Sequence, residues 1–380
     1  METTLKAVVV GGGIGGVATA LALHRQGIHV RVYEQAPQLT EVGAGVSLAP
    51  NGLLMLERLG VGEAVARLGA RHAKTELRLA DGRPARHEPD QFARPGRNVG
   101  IHRADLLSLL ADQLPPGTIR TGHRASGFRQ DADSATVTFE GGEVAKGDMV
   151  IGADGIHSVL QRFVVEPAEP TFSGVVAYRG LIPRPEAYPP ETMRMWVGEG
   201  KHFLAFPVRA GRLLNYVGFV PSPTQVRESW STEGDPEALA GHFAGWDPLI
   251  GEIIAAISGP GGSGFAWGMY DRAPLSRWSD GRLTLLGDAA HPMLPHLGQG
   301  VNQALEDAVA LAALSGALGD PAGVPGVLRS YEGLRRERTA RVQVGSRRNG
   351  AGYDSSGSQL TDRSWIYAYD AQAEALALLD

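Results

Sequence analysis

The sequence predicts an α/β protein: a doubly wound parallel sheet, interrupted by a second domain on a mixed β-sheet and closed by a C-terminal helical tail. Three observations carry this reading. Ala7-Val-Val-Val10 is the short, continuous apolar run of a buried parallel strand, and a glycine cluster and an Ala/Leu-rich helix follow it. From about Thr171 to Trp267 the texture changes to short Tyr, Phe, Trp and Val runs punctuated by Gly and Pro, as in antiparallel strands. After Arg282 the buried-strand and helix patterns return. The chain of 380 residues exceeds one compact core and suits about two domains.

Taken in order, the first unit reads strand–helix–strand, with the helix over Val17 to Gln26 and the second strand from His29 to Tyr33, ending at Glu34. Apolar residues recur at helical spacing in Asn51 to Leu59 and Arg103 to Leu114. Ala135 to Phe139 alternates like a half-buried strand, and Asp148 to Gly152 is apolar like a buried one. In the middle, Val175 to Leu181, Thr192 to Val197, His202 to Val208 and Leu213 to Val220 read as strands. Arg282 to Leu286 follows as a buried strand, Val301 to Leu318 as a strong helix, and Gly326 to Val344 as an arginine-studded helix. The expected division is 1–72, 98–168 and 275–345 for the first domain, 73–97 and 169–274 for the second, and 346–380 for the tail.

Composition excludes several classes. The net charge of −5 with no block of one sign argues against a nucleic-acid or membrane-surface binder. Arg335, Arg336, Arg338, Arg341, Arg347 and Arg348 are interleaved with Glu332 and Glu337, as on a helix face that is solvated or packed on the first domain. Zero cysteine rules out disulfides, a thiolate nucleophile, iron–sulfur clusters and any cysteine-linked cofactor. Ala7 to Leu23 is uncharged and follows Lys6. Its glycines, its lack of a cleavage site and its 17-residue length speak against a targeting segment or span, so a cytoplasmic protein is expected.

Gly11-Gly12-Gly13-Ile14-Gly15-Gly16 contains G-x-G-x-x-G between a strand and a helix. There, glycine permits a tight turn and close approach of a pyrophosphate to the helix N-terminus. Glu34 lies 18 residues beyond Gly16 at the end of the next strand, where a carboxylate accepts from a ribose hydroxyl and disfavours a 2′-phosphate. The dinucleotide is therefore FAD or NAD. Downstream, Leu285-Leu286-Gly287-Asp288-Ala289-Ala290-His291-Pro292 puts an aspartate just past a buried strand. Gly298-Gln299-Gly300-Val301-Asn302 then runs into a helix holding Glu306 and Asp307. Asp288, His291 and His296 could suggest a metal, but no other ligand set surrounds them, and no metal is expected.

The glycine fingerprint, Asp154-Gly155 within Gly152 to Ser158, and Gly287-Asp288 resemble the three signatures of the FAD-dependent class A aromatic-ring hydroxylases, in the same order and over nearly the whole chain. Gly43 to Asn51, Tyr178-Arg179-Gly180, His202 to Val208, Tyr270 to Leu275 with Trp278, and Trp365 to Asp370 are similar to the salicylate hydroxylase and 6-hydroxynicotinate 3-monooxygenase branch. The resemblance implies a Rossmann-like, GR2-type FAD domain and a single-component flavin monooxygenase with noncovalent FAD. Such an enzyme uses NADH or NADPH and O2 to hydroxylate a small planar aromatic (a hydroxybenzoate, hydroxypyridine carboxylate or phenol) through a flavin C4a-hydroperoxide.

It also implies residue roles. Gly11, Gly13, Ile14, Gly16 and Glu34 would hold the ADP half of FAD, Arg103 the ribityl–phosphate region, and Asp288 a ribityl hydroxyl. Asp154 would serve FAD and the passing nicotinamide, and Pro295, Gly298, Gly300, Val301 and Asn302 would lie against the isoalloxazine. Ser47, Tyr178, Tyr216 and Pro295 would face substrate. Some members of the branch carry histidine at the position of Ser47; serine is a poor base at neutral pH, so His202 and Tyr216 are the nominees for handling the ring proton. A monomer or homodimer is expected. A flavin dehydrogenase or oxidase without oxygen insertion, or a non-catalytic flavin-binding sensor, stands as the alternative.

Overall fold

The computed structural model describes residues 5–39, 44–85, 98–166, 168–198, 200–224, 234–354 and 362–380. Gly43, residues 86–97 of the expected segment 73–97, residues 225–233 of the second domain and residues 355–361 of the tail lie outside the described residues. Two six-stranded sheets dominate. In chain order their strands are β1 (Lys6–Val10), β2 (His29–Tyr33), β3 (Lys74–Leu79), β4 (Ile119–Arg120), β5 (Met149–Gly152), β6 (Thr171–Pro183), β7 (Thr192–Gly198), β8 (Lys201–Val208), β9 (Leu213–Pro221), β10 (Phe265–Asp271), β11 (Ser279–Asp280) and β12 (Leu283–Leu285). The main helices are α1 (Ile14–Arg25), α2 (Pro50–Arg58), α3 (Gly300–Gly316) and α4 (Val324–Asp354).

The first sheet has the order β11-β12-β5-β1-β2-β4 and is parallel except at the β11 edge. Its central strands are apolar throughout because both faces are covered: Val9, Val150 and Ile151 are fully buried. α1 and α3 pack against each other over one face, and small residues permit the close approach; a Cβ on Gly15 would stand 3.2 Å from that of Ala304. The other face carries an antiparallel meander of Ala125–Gln130, Ala135–Phe139 and Val144–Gly147, whose Val137, Phe139 and Ala145 join the same core.

The second sheet, β10-β6-β9-β8-β7-β3, is antiparallel except for the parallel pairing of β7 with β3, so it is mixed. Period-two alternation gives its strands two faces. Phe203, Ala205, Leu214 and Tyr216 turn toward the helices Pro236–His242 and Pro248–Ala255, forming a core with Phe243, Trp246, Ile250 and Ile253. His202, Leu204, Val217 and Phe219 lie on the opposite face.

The arginine-studded helix departs in part from its sequence reading. Arg336 and Glu332 stand at i,i+4, 3.9 Å apart. Arg335 and Arg338, however, leave their own helix face and pair across to α3: Arg335 reaches Glu306 at 2.6 Å and Asp307 at 2.8 Å, and Arg338 reaches Glu306 at 2.8 Å. Arg335, Glu306 and Asp307 are fully buried, a placement these charges tolerate because each is met by an opposite charge and further hydrogen bonds. The tail docks on Arg338 and on Arg341. The Arg338 guanidinium lies 3.7 Å from the Tyr369 ring centroid and that of Arg341 lies 4.1 Å from Trp365.

Candidate active site

Four chemistry-bearing segments emerge side by side at the carboxyl ends of adjacent parallel strands. β12 leads to Asp288, β5 to Asp154, β1 to the glycine cluster and β2 to Glu34. In open α/β sheets this edge is where ligands bind. Gly11 sits at φ +112°, and a Cβ on Gly16 would fall 2.0 Å from the Gly11 carbonyl oxygen, so the turn closes only with hydrogen at both positions. A Cβ on Gly13 would meet nothing within 4 Å, leaving open space at the start of α1. The Glu34 carboxylate is held from behind, accepting the N–H of Gly12 at 2.6 Å and that of Ala36 at 2.7 Å.

Asp154 accepts the Val159 N–H through Oδ2 at 2.8 Å, while its buried Oδ1 has no hydrogen-bond partner among the described residues. Burial raises its carboxyl above the usual range. Asp288 is exposed between the buried Gly287 and Ala289. The turn before it is braced by Asp307, whose Oδ2 accepts the Gly287 N–H at 3.2 Å and the His291 Nε2–H at 2.5 Å. His291 thus spends that nitrogen on a carboxylate. Arg103 begins the helix Arg103–Ala111.

A pocket opens between the second sheet and the Pro295–Gly298 loop. Ser47, Thr75, Leu77, Met193, Met195, His202, Leu204, Phe219, Pro295, His296, Gly298 and Tyr353 line it, with the tail residues Arg363 and Tyr367. Ser47 is positioned through Asn302, whose Nδ2 donates to the Ser47 and Gly298 carbonyls at 3.2 and 2.7 Å and whose Oδ1 accepts the Ala49 N–H at 3.0 Å. The side chain of Asn302 is therefore engaged in joining loop to helix. Pro295 and Gly298 are exposed, and added Cβ atoms on Gly298 and Gly300 would meet nothing within 4 Å.

His202 stacks on Phe219 at 4.3 Å and meets His296 edge-on at 5.2 Å. His296 is buried. Desolvation first, then the neighbouring His202, keeps its pKa well below 6.5, so its imidazole is neutral at neutral pH.

The structure brings Ser47, His202 and Pro295 into one pocket and leaves Tyr216 and Tyr178 out of it. Tyr216 is opposite Ala205, one residue out of phase with His202. Its hydroxyl donates to the Ser263 carbonyl at 2.9 Å inside the helix-side core. Tyr178 is opposite Gly218 and shares that face, beside His242. Strand parity keeps both off the pocket face: adjacent residues point to opposite faces, and reading an aromatic-rich strand does not say which. Conversely, sequence reading placed His296 only in a rejected metal set and passed over Met193, Met195, Leu204, Phe219, Tyr353 and Arg363. The two-residue spacing His202–Leu204 and Met193–Met195 was the signal available for three of these, Met193, Met195 and Leu204.

A dinucleotide edge that meets an aromatic-lined pocket with neutral imidazole defines an FAD-dependent aromatic monooxygenase of class A. The family described as FAD binding domain matches residues 4–346, and the chain belongs to it. The chain is 38% identical to 3-amino-4-hydroxybenzoate 2-monooxygenase PtnB3 of Streptomyces platensis, over 96% of both chains. It is 36% identical to a salicylate hydroxylase of Pseudomonas putida, over 99% of this chain and 95% of that one. Among solved structures it is similar to Klebsiella pneumoniae HpxO complexed with FAD and uric acid, with a TM-score of 0.83, 30% identity and coverage of 100% and 98%. A salicylate hydroxylase substrate complex gives a TM-score of 0.82 at 29% identity, covering 99% and 98%.

FAD is the cofactor, and the edge fits it. There is open space at Gly13, Gly298 and Gly300, Asp288 is exposed, and the buried Asp154 Oδ1 has no hydrogen-bond partner among the described residues, a set of polar groups and space that suits a dinucleotide. Among the described residues no helix is long and apolar enough to cross a membrane.

Proposed function

We propose that the protein is a single-component monooxygenase that uses NADH or NADPH and O2 to hydroxylate a small planar aromatic bearing a ring hydroxyl. The observation that supports this is the pocket itself. It joins His202 and His296 on one wall to the Pro295–Gly298 loop beside the dinucleotide edge. Bound FAD supplies reducing electrons and the activation of O2, with one oxygen atom entering the ring and the other leaving as water.

The chain's own residues do the rest. Gly11, Gly13, Ile14, Gly16 and Glu34 would hold the adenosine end, Arg103, Asp154 and Asp288 the middle, and the backbone from Pro295 to Val301 the ring system. Apolar Leu77, Met193, Met195, Leu204 and Phe219 exclude water from the reacting ring. His202 takes or shares the ring hydroxyl proton, and His296, kept neutral by burial, is available as a second acceptor. Asn302 acts as a positioning residue for Ser47.

We also propose the division into cofactor and substrate domains at the boundaries given above, a cytoplasmic location, and a monomer or homodimer. The test is a panel of hydroxybenzoates, hydroxypyridines and phenols scored for NADH consumed, O2 consumed and hydroxylated product formed. Product approaching one per NADH with at least one compound is expected. NADH oxidation that never yields hydroxylated product would reassign the protein to the oxidases.

A further inference from the structure

We infer that Gly350 is a positioning residue that sets the width of the pocket: the side chain it lacks leaves the notch in which the His296 imidazole is seated. The inference rests on the pocket being the substrate site. Ser346, Gly350 and Tyr353 stand at i, i+4 and i+7 of α4 and share the face turned to the Pro295–Gly298 loop. The two polar members fix the backbone of that segment. Ser346 Oγ donates to the Leu294 carbonyl at 2.5 Å and accepts the Leu297 N–H at 3.3 Å. The Tyr353 hydroxyl donates to the His296 carbonyl at 3.4 Å. Both side chains are fully buried.

Between them, Gly350 meets the His296 side chain. A Cβ there would stand 2.7 Å from Cδ2 and 2.8 Å from Nε2 of His296, closer than real Cβ contacts, so the imidazole lies edge-on against bare helix backbone. Gly333, earlier in the same helix, would meet nothing within 4 Å; the crowding belongs to the His296 contact. Helix propensity alone favours alanine over glycine in a helix interior, so the missing side chain serves the ring rather than the helix.

Packing fixes where this ring sits. Its Nδ1 is buried with no hydrogen-bond partner among the described residues, and the His202 and Phe219 rings each lie 5.2 Å away between centroids. Ser346 and Tyr353 bind α4 to the segment that carries His296, which keeps the helix from receding. A methyl group on Gly350 would therefore drive the ring away from the helix, among His202 and Phe219, and all three rings line the pocket. In a close-packed interior that displacement takes space from the cavity. A narrower pocket penalises substituents on a bound ring according to their size.

The experiment compares the FAD-loaded parent, Gly350→Ala, His296→Ala and the double variant. Phenol and its 3-methyl, 3-ethyl and 3-isopropyl derivatives are titrated, following tryptophan fluorescence and the flavin spectrum. Imidazole signals are recorded without ligand by NMR on protein with isotope-labelled histidine, assigned by their loss in His296→Ala and His202→Ala. Gly350→Ala should weaken 3-isopropylphenol about tenfold more than phenol, the low end for an overpacked contact, and shift the His296 and His202 signals. In the His296→Ala background the same substitution should leave the size series unchanged. Unmoved imidazole signals in Gly350→Ala would overturn the inference. So would an equal loss for all the phenols, or a size effect that persists when His296 is alanine. If Gly350→Ala fails to retain FAD, the double variant decides: recovery on removing the ring supports the notch, and no recovery overturns it. The reading of the pocket fails separately. Shifted imidazole signals with no phenol bound by the parent would sink the substrate site and keep the seat of His296, whereas hydroxylation by the parent with unmoved signals would do the reverse.

Discussion

The two faces of one strand pair, β8 and β9, do different work with similar residues. On the face turned to the pocket, His202 stacks on Phe219, with His296 and Tyr353 beside them. On the other face Phe203 and Tyr216 lie parallel at 6.2 Å and pack against Phe243 and the helix isoleucines. Both faces are aromatic, and both are largely buried. They differ in what responds to protons. The pocket side, continued to His72 beside Phe206, carries imidazoles whose pKa burial has lowered, whereas burial of Tyr216 pushes its phenol further above 10. The pocket side thus presents neutral imidazoles, and the helix side a neutral phenol.

The largest effect should come from the packed face. Phe203 is fully buried, and Phe203→Ala should cost about 3–5 kcal/mol of stability through lost burial and a residual cavity, measured by urea or thermal unfolding. A loss below about 1 kcal/mol would show that this face is not the load of the core. One residue away, His202→Ala should leave FAD content near the parent's and lower hydroxylated product per unit time by on the order of 100-fold, the low end for a positioned acid–base group. NADH oxidation should become uncoupled at the same time. A His202→Ala enzyme as coupled as the parent would move the proton role to His296.

Acid should sharpen the same contrast. His72 is 2% exposed, donates its Nε2–H to the Pro207 carbonyl at 3.2 Å, and has its pKa lowered from 6.5 to about 4, chiefly by burial. The unfolded chain takes up that proton near pH 6.5 and the folded protein only near pH 4, so stability is intact above 6.5 and falls as pH drops through this window. The loss attributable to His72 should reach ~2 kcal/mol by about pH 5. His72→Gln should flatten the unfolding midpoint between about pH 7 and pH 5; an unchanged slope would assign it to other groups. The smallest effect belongs to Tyr216→Phe. Losing the hydrogen bond to Ser263 should cost about 1 kcal/mol of stability, with product per NADH equal to the parent's. Lost coupling in this variant would return Tyr216 to the pocket.

Much of the cofactor edge was legible because its chemistry is local. Gly11, Gly16 and Glu34 occupy a strand–turn–helix–strand unit whose spacing alone brings them together, and Asp154 and Asp288 each follow a recognisable buried strand. The pocket was less legible because its walls come from distant segments: β3, β7, β8 and β9, the loop before α3, the end of α4 and the tail. His202 was expected near substrate and lines the pocket. Tyr216, one position out of phase, turns to the helices instead, since nothing in Leu213 to Val220 says which alternate residues face them.

The buried charges tell the same story from the other side. Glu306 and Asp307 sit in a run of apolar residues, and Arg335 and Arg338 sit among arginines that look solvated. Their pairing crosses two helices and could not be read from i,i+4 spacing.

From the chain alone follow the α/β architecture, the mixed second sheet, the nucleotide-binding turn and the exclusion of cysteine chemistry. These depend on the order of neighbouring residues along the backbone, which periodicity and composition report directly. Which face of β8 and β9 lines the pocket, which arginines are buried, and that Arg363 of the tail borders a pocket built mainly from residues more than a hundred positions earlier were decided only by folding. Each of those depends on how separated segments share one core, and a packed core selects partners by the shape and charge left unburied after every element has docked.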